Sequence, residues 1–105
     1  MKTAEEIRAY GKKKKWSREY MEYWVAHPFC EALVPMGISV PAAPPHHINT
    51  RGAHGNIDEP WNLISLSREA HAAVESMGEE KFLDSYPWLR HKFKEARRLM
   101  QEKYA

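Results

Sequence analysis

Four of the six histidines in this 105-residue chain, His46, His47, His54 and His71, fall between Pro44 and Gly78. Imidazole both holds divalent metals and exchanges protons near neutral pH. His46 and His47 are adjacent, so on an extended segment their rings face opposite sides and suit two different tasks. His71 and Glu75 are spaced i, i+4, which on a helix puts them on one face as a ligand pair would be. Two imidazoles and a carboxylate form an N,N,O set with positions left for water or a phosphate oxygen. Such a set suits Mn²⁺, Mg²⁺, Ni²⁺ or Zn²⁺, and ligand type alone does not choose among them. Each residue also has a bland use: a buried histidine is usually just hydrogen-bonded, and Glu75 is by default a solvated helix residue.

The elements that must carry these side chains follow from periodicity and punctuation. The stretch 44–78 reads as strand, long loop, short strand and helix. Asn49 to Pro60 is the loop, with two glycines and no periodicity. Trp61 to Leu66 reads as the short strand, with Asn62, Ile64 and Leu66 on one face. Ser67 is a good N-cap for a helix from Arg68 to Met77, closed by Gly78. Upstream, Thr3 and Glu6 form a capping box for a helix from Ala4, which Gly11 and the run Lys12–Lys15 are expected to interrupt. Ser17 caps a second helix, Arg18 to Ala26, whose Tyr20, Tyr23 and Trp24 read as a core stripe. Gly37-Ile-Ser-Val reads as a turn into a strand, and the prolines at 41, 44 and 45 as an irregular approach to His46. A short helix, Glu79 to Tyr86, precedes a last helix from Pro87 to about Lys103, with Trp88, Phe93 and Leu99 among its buried positions.

Composition narrows the partners. At 105 residues the chain reads as one domain, 1–105, with a core motif about 37–78, a helical arm 1–28 and C-terminal helices 79–105. No apolar run approaches the ~18–20 residues of a bilayer span, and the N-terminus lacks the apolar centre of a signal peptide. Cys30, the one cysteine, excludes an internal disulfide and any zinc site built on two or more cysteines. A cytoplasmic setting is expected. The net charge of +2 is uneven: +3 over residues 1–30 (7 basic, 4 acidic), −3 over 31–78 (2 and 5) and +2 over 79–105 (7 and 5). A His-rich acidic middle between basic ends fits a metal site held between phosphate-gripping arms, and fits equally a set of lysine-rich solvated helix faces. Lys13 and Lys14 are candidates for phosphate contact. Arg51, on the loop, suits either phosphate binding or an ordinary surface role.

The segments PPHHI and DEPWNLISLSREAH resemble the HNH endonucleases of the ββα-metal superfamily, particularly the small phage-type members. His47 matches the first H of that motif, Asn62 the N and His71 the last H, at intervals of 15 (62 − 47) and 9 (71 − 62) like those of the colicin-type DNases. The match covers about residues 45–78, and GEEKFLDSYPWL is similar to what often follows it in the phage proteins. The resemblance implies an α+β fold with a ββα-metal core and flanking helices. It implies His46 and His71 as metal ligands, His47 as the general base that activates water, and Asn62 as the residue that pins the loop and fixes the His47 ring. Glu75 stands where the colicin-type enzymes carry a third histidine ligand, which leaves His54 or water as substitutes. Ser67 and Ala70 stand where many relatives have a second cysteine pair, so no structural zinc is expected.

The implied activity is hydrolysis of DNA phosphodiester bonds with one divalent metal, Mn²⁺ or Mg²⁺ first and Zn²⁺ or Ni²⁺ as alternatives. One site per chain makes a monomer a nicking enzyme, bacterial or phage-encoded, that leaves 5′-phosphate and 3′-hydroxyl ends. DNA is the expected partner, with phage packaging proteins as further candidates and no membrane. Two rivals stand beside this reading: a nuclease of RNA or structured DNA, and a DNA-binding phage accessory protein without turnover.

Overall fold

The computed structural model describes residues 2–50 and 57–104; Arg51 and His54, both candidates above, lie outside the described residues. The fold is α+β, mostly helical, with one small antiparallel sheet. No helix among the described residues is long and apolar enough to cross a membrane.

The chain opens with α1 (Ala4–Lys14) and α2 (Arg18–Ala26). The Thr3 hydroxyl accepts from the Glu6 amide at 3.2 Å, and the Glu6 carboxylate accepts from the Thr3 amide at 3.0 Å, which completes the capping box. The expected interruption at Gly11 does not occur. The helix continues to Lys14 and stops only where Lys15 enters the left-handed region at φ 60°. Gly11 is buried where the two helices cross, and a Cβ there would stand 2.1 Å from Met21 Sδ. Its missing side chain allows close helix approach, a use a one-dimensional pattern does not show. Ile7, Trp24 and Ala42 form a small core between this hairpin and the following segment, with Tyr10, Trp16 and Val25 packed around it.

The strand expected after Gly37 is absent. Val34–Met36 is a 3-10 turn ended by Gly37 at φ 75°, and the chain returns only as an isolated bridge between Phe29 and Pro41. The sheet is β1 (His46–His47) with β2 (Leu63–Ile64), paired His46 to Ile64 and His47 to Leu63. β1 is short because Pro44 and Pro45 have no N–H to give to a ladder. Single backbone bonds extend the alignment at both ends: Ala43 N–H to the Leu66 carbonyl at 2.8 Å, and Ile48 N–H to the Asn62 carbonyl at 2.8 Å. Of the strand expected over 61–66, the first part is instead a 3-10 turn, Pro60–Asn62, with proline at its start. Leu63 to Ser67 are all buried, as a covered strand requires.

Ser67 caps α3 (Arg68–Met77) by accepting from the Ala70 amide at 3.1 Å. Gly78, at φ 88°, ends α3 and begins α4 (Glu79–Ser85). Pro87–Leu89 is a 3-10 turn and α5 runs Arg90–Tyr104. Phe93 is buried as expected and Leu99 half-buried. Trp88 departs from expectation: it is 42 % exposed, although its indole N–H donates to the Ala32 carbonyl at 3.1 Å. The main core joins Cys30, Ile48, Ile64, Leu66, Phe82 and Phe93, which seats the sheet on α3, α4 and α5.

Candidate active site

The two-residue strand β1 splits the candidate site into two faces. His46 turns towards α3, and His47 turns towards α2 and the end of the loop that precedes β2. The opposite orientation expected of adjacent strand residues therefore holds.

On the α3 side, His46 Nδ1 lies 3.0 Å from His71 Nε2, and that same nitrogen lies 3.2 Å from Glu75 Oε1. The pairing of β1 with β2 brings His46 to the start of α3, and the i, i+4 spacing adds Glu75. No group of three His, Cys, Asp or Glu side chains among the described residues is disposed as a ready ligand shell. Glu75, whose side chain is 70 % exposed, is the least fixed of the three.

The donor chemistry nevertheless fits a cation. Burial, with the His71 and His47 rings nearby, pushes His46 down to about 4, so its ring is neutral at physiological pH. The tautomer decides which ring donates in the His46–His71 contact, and the Glu75 carboxylate beside it is an acceptor only. This corner is rich in acceptors and poor in donors.

On the other side, His47 Nε2 lies 2.7 Å from Asp58 Oδ1. The second Asp58 oxygen accepts from the Ser17 hydroxyl at 2.8 Å, and that hydroxyl also caps α2 by accepting from the Tyr20 amide at 3.1 Å. The Tyr20 ring stacks on His47 at 5.3 Å between centroids and 13° between planes. Tyr20 is thus half-buried against the candidate base rather than in the core stripe, where Tyr23 and Trp24 are buried. Burial, with the nearby Asp58 charge, pushes the Tyr20 phenol up to about 12, so it stays protonated. Its hydroxyl donates to the Pro45 carbonyl at 2.5 Å.

A cleft of about 340 Å³ opens here, lined by Lys15, Trp16, Ser17, Tyr20, His47 and Asp58. Lys13 and Lys14 lie in the last turn of the helix that leads to it, exposed to solvent.

Asn62 is fully buried and serves as a clamp. Its Oδ1 accepts from the Asn49 backbone and side-chain amides, each at 2.8 Å. Its Nδ2 donates to the Asn49 carbonyl at 3.2 Å and the Ile57 carbonyl at 3.0 Å. Asn49, two residues after His47, and Ile57 are therefore tied to one side chain. Asn49 is itself held from α5, donating to the Ala96 carbonyl at 2.9 Å and accepting from Arg97 at 2.9 Å.

Sequence reasoning picked out His46, His47, Asn62, His71 and Glu75 and missed Asp58, Ser17, Tyr20 and Asn49. Asp58 had one visible signal, as an acid four residues before Asn62. The partnership of Tyr20 with His47 crosses 27 positions and has no local signature. Compared with protein-family models, with curated proteins and with solved structures, the chain has no match.

Proposed function

We propose that the chain is a divalent-metal-dependent endonuclease of the HNH kind, with β1, β2 and α3 as its ββα-metal core and DNA as its substrate. The observation that carries this reading is the division of labour at β1. An acceptor-rich His46–His71–Glu75 corner lies on one face, and a carboxylate-held histidine opens to a cleft on the other. Asn62 ties Asn49, just after β1, to Ile57, just before Asp58.

His46, His71 and Glu75 would hold the metal. When bound, it supplies a positive charge that relieves the phosphate oxygens and the leaving oxygen in the transition state. The chain's own residues do the rest. With Nε2–H directed at Asp58, His47 keeps the Nδ1 lone pair and takes a proton from water as the water oxygen bonds to phosphorus. The P–O3′ bond breaks, and the departing oxygen takes a proton from solvent, leaving 5′-phosphate and 3′-hydroxyl. Lys13 and Lys14 contribute sequence-independent attraction for the backbone.

One such site cuts one strand per encounter, so a monomer nicks duplex DNA. An accessory protein that only binds DNA has no use for a base held by a carboxylate, which makes nicking the stronger reading. Conversion of supercoiled plasmid to open circles by metal-loaded protein, and its loss in His47→Ala, is the test. Cleavage confined to RNA or structured DNA would redirect the substrate assignment while keeping the chemistry.

A further inference from the structure

We propose that Asp58, anchored by Ser17, is the positioning residue that sets the tautomer and the ring plane of His47. The proposal rests on the nuclease reading above and adds to it a reason why the base is competent. A neutral imidazole has one N–H and one lone pair, and which nitrogen carries the proton is decided by what the other ring nitrogen meets. Asp58 Oδ1, 2.7 Å from Nε2, holds the proton there and frees Nδ1 as the acceptor.

The carboxylate is itself fixed. The single hydroxyl proton of Ser17 is spent on Asp58 Oδ2 at 2.8 Å, while a lone pair of the same oxygen receives the Tyr20 amide at 3.1 Å. The start of α2 therefore sets the direction of the hydroxyl, and the hydroxyl sets the carboxylate. The stacked Tyr20 ring restrains the remaining freedom, rotation of the imidazole about the line to Asp58. Asp58 and Ser17 are 41 positions apart, so the relay couples the N-terminal hairpin to the hydrolytic strand. During attack the proton of water passes to Nδ1 as the O–P bond forms. The resulting imidazolium faces the Asp58 side chain, the arrangement that stabilises it.

The experiment combines long-range ¹H–¹⁵N correlation spectra of the His47 ring with steady-state plasmid nicking, on magnesium-loaded wild type, Asp58→Asn and Ser17→Ala. Wild type is expected to show the Nε2–H form and Asp58→Asn a mixture. Asp58→Asn should lose about ten- to a hundredfold in kcat, a share of what a positioned base contributes, with KM and magnesium affinity unchanged. Circular dichroism and DNA affinity check that each variant folds. A folded Asp58→Asn with wild-type kcat, or a loss confined to KM, overturns the proposal, as does an Nδ1–H ring in wild type. Wild type that nicks no DNA overturns the nuclease reading and with it the catalytic role of Asp58, while the spectra still report whether the contact sets the tautomer.

Discussion

Asn62 meets Asn49 in both directions: its Oδ1 accepts the Asn49 backbone N–H at 2.8 Å, and its Nδ2 donates to the Asn49 carbonyl at 3.2 Å. One buried side chain thereby does what a strand partner would do, at a point where the sheet has ended. The consequence is testable. Asn62→Ala strands backbone groups at Asn49 and Ile57 and should cost about 2–4 kcal/mol in urea unfolding, on the scale of several unmet buried hydrogen bonds. Asn62→Asp keeps the acceptor but sets a buried carboxylate against the Asn49 and Ile57 carbonyls, and should cost at least as much. A loss under ~0.5 kcal/mol in Asn62→Ala would mean the clamp contributes nothing to stability.

The ligand corner makes graded predictions. His46→Ala and His71→Ala should each reduce affinity for Mn²⁺ by at least ~100-fold, because each removes one of two imidazoles. Glu75→Ala should reduce it less, about tenfold, since this carboxylate is the most exposed of the set. Titration calorimetry on metal-stripped protein reads all three. Unchanged affinity in Glu75→Ala would remove that residue from the ligand set and leave the third position to water or to His54.

Lys13 and Lys14 should act through charge alone. Replacing both with glutamine is expected to lower the slope of log affinity against log salt by about 1 per lysine, equally for unrelated DNA sequences. Fluorescence anisotropy from low to moderate salt measures this. An unchanged slope would assign the lysines to solvent and move the phosphate contacts elsewhere.

Glu31 is the separate control on the scaffold. Its Oε2 accepts from the Tyr23 hydroxyl at 2.6 Å and from the Ser65 amide at 2.7 Å, tying α2 to the segment between β2 and α3. Burial and the Glu31 contact both push the Tyr23 phenol up, so it remains a donor. Glu31→Ala should destabilise by about 2–4 kcal/mol, as two charge-assisted bonds are lost, without changing magnesium affinity per folded molecule. Glu31→Gln keeps an acceptor and should recover part of the loss.

What was legible in the sequence was mostly local. Thr3 with Glu6, Ser17 and Ser67 mark helix starts because capping is a contact within one turn. The opposed faces of His46 and His47 follow from the two-residue period of a strand. The errors lie where a distant partner decides. Gly11 looked like a break, but Met21 and Trp16 occupy the space its side chain would fill. Trp61 and Asn62 looked like strand, but Pro60 starts a 3-10 turn that aims the Asn62 amide at Asn49 and Ile57. The role of Asp58 has no local explanation, since it is defined by a histidine 11 positions back and a serine 41 positions back.

The central claim is most directly tested by supercoiled-plasmid cleavage with metal-stripped protein, given Mn²⁺, Mg²⁺, Zn²⁺ or no metal, with His47→Ala alongside. The account predicts open circles only when a metal is added, and a rate in His47→Ala lower by ~100-fold or more, the usual share of a general base. Plasmid left intact with every metal, or cut equally well by His47→Ala, would contradict it.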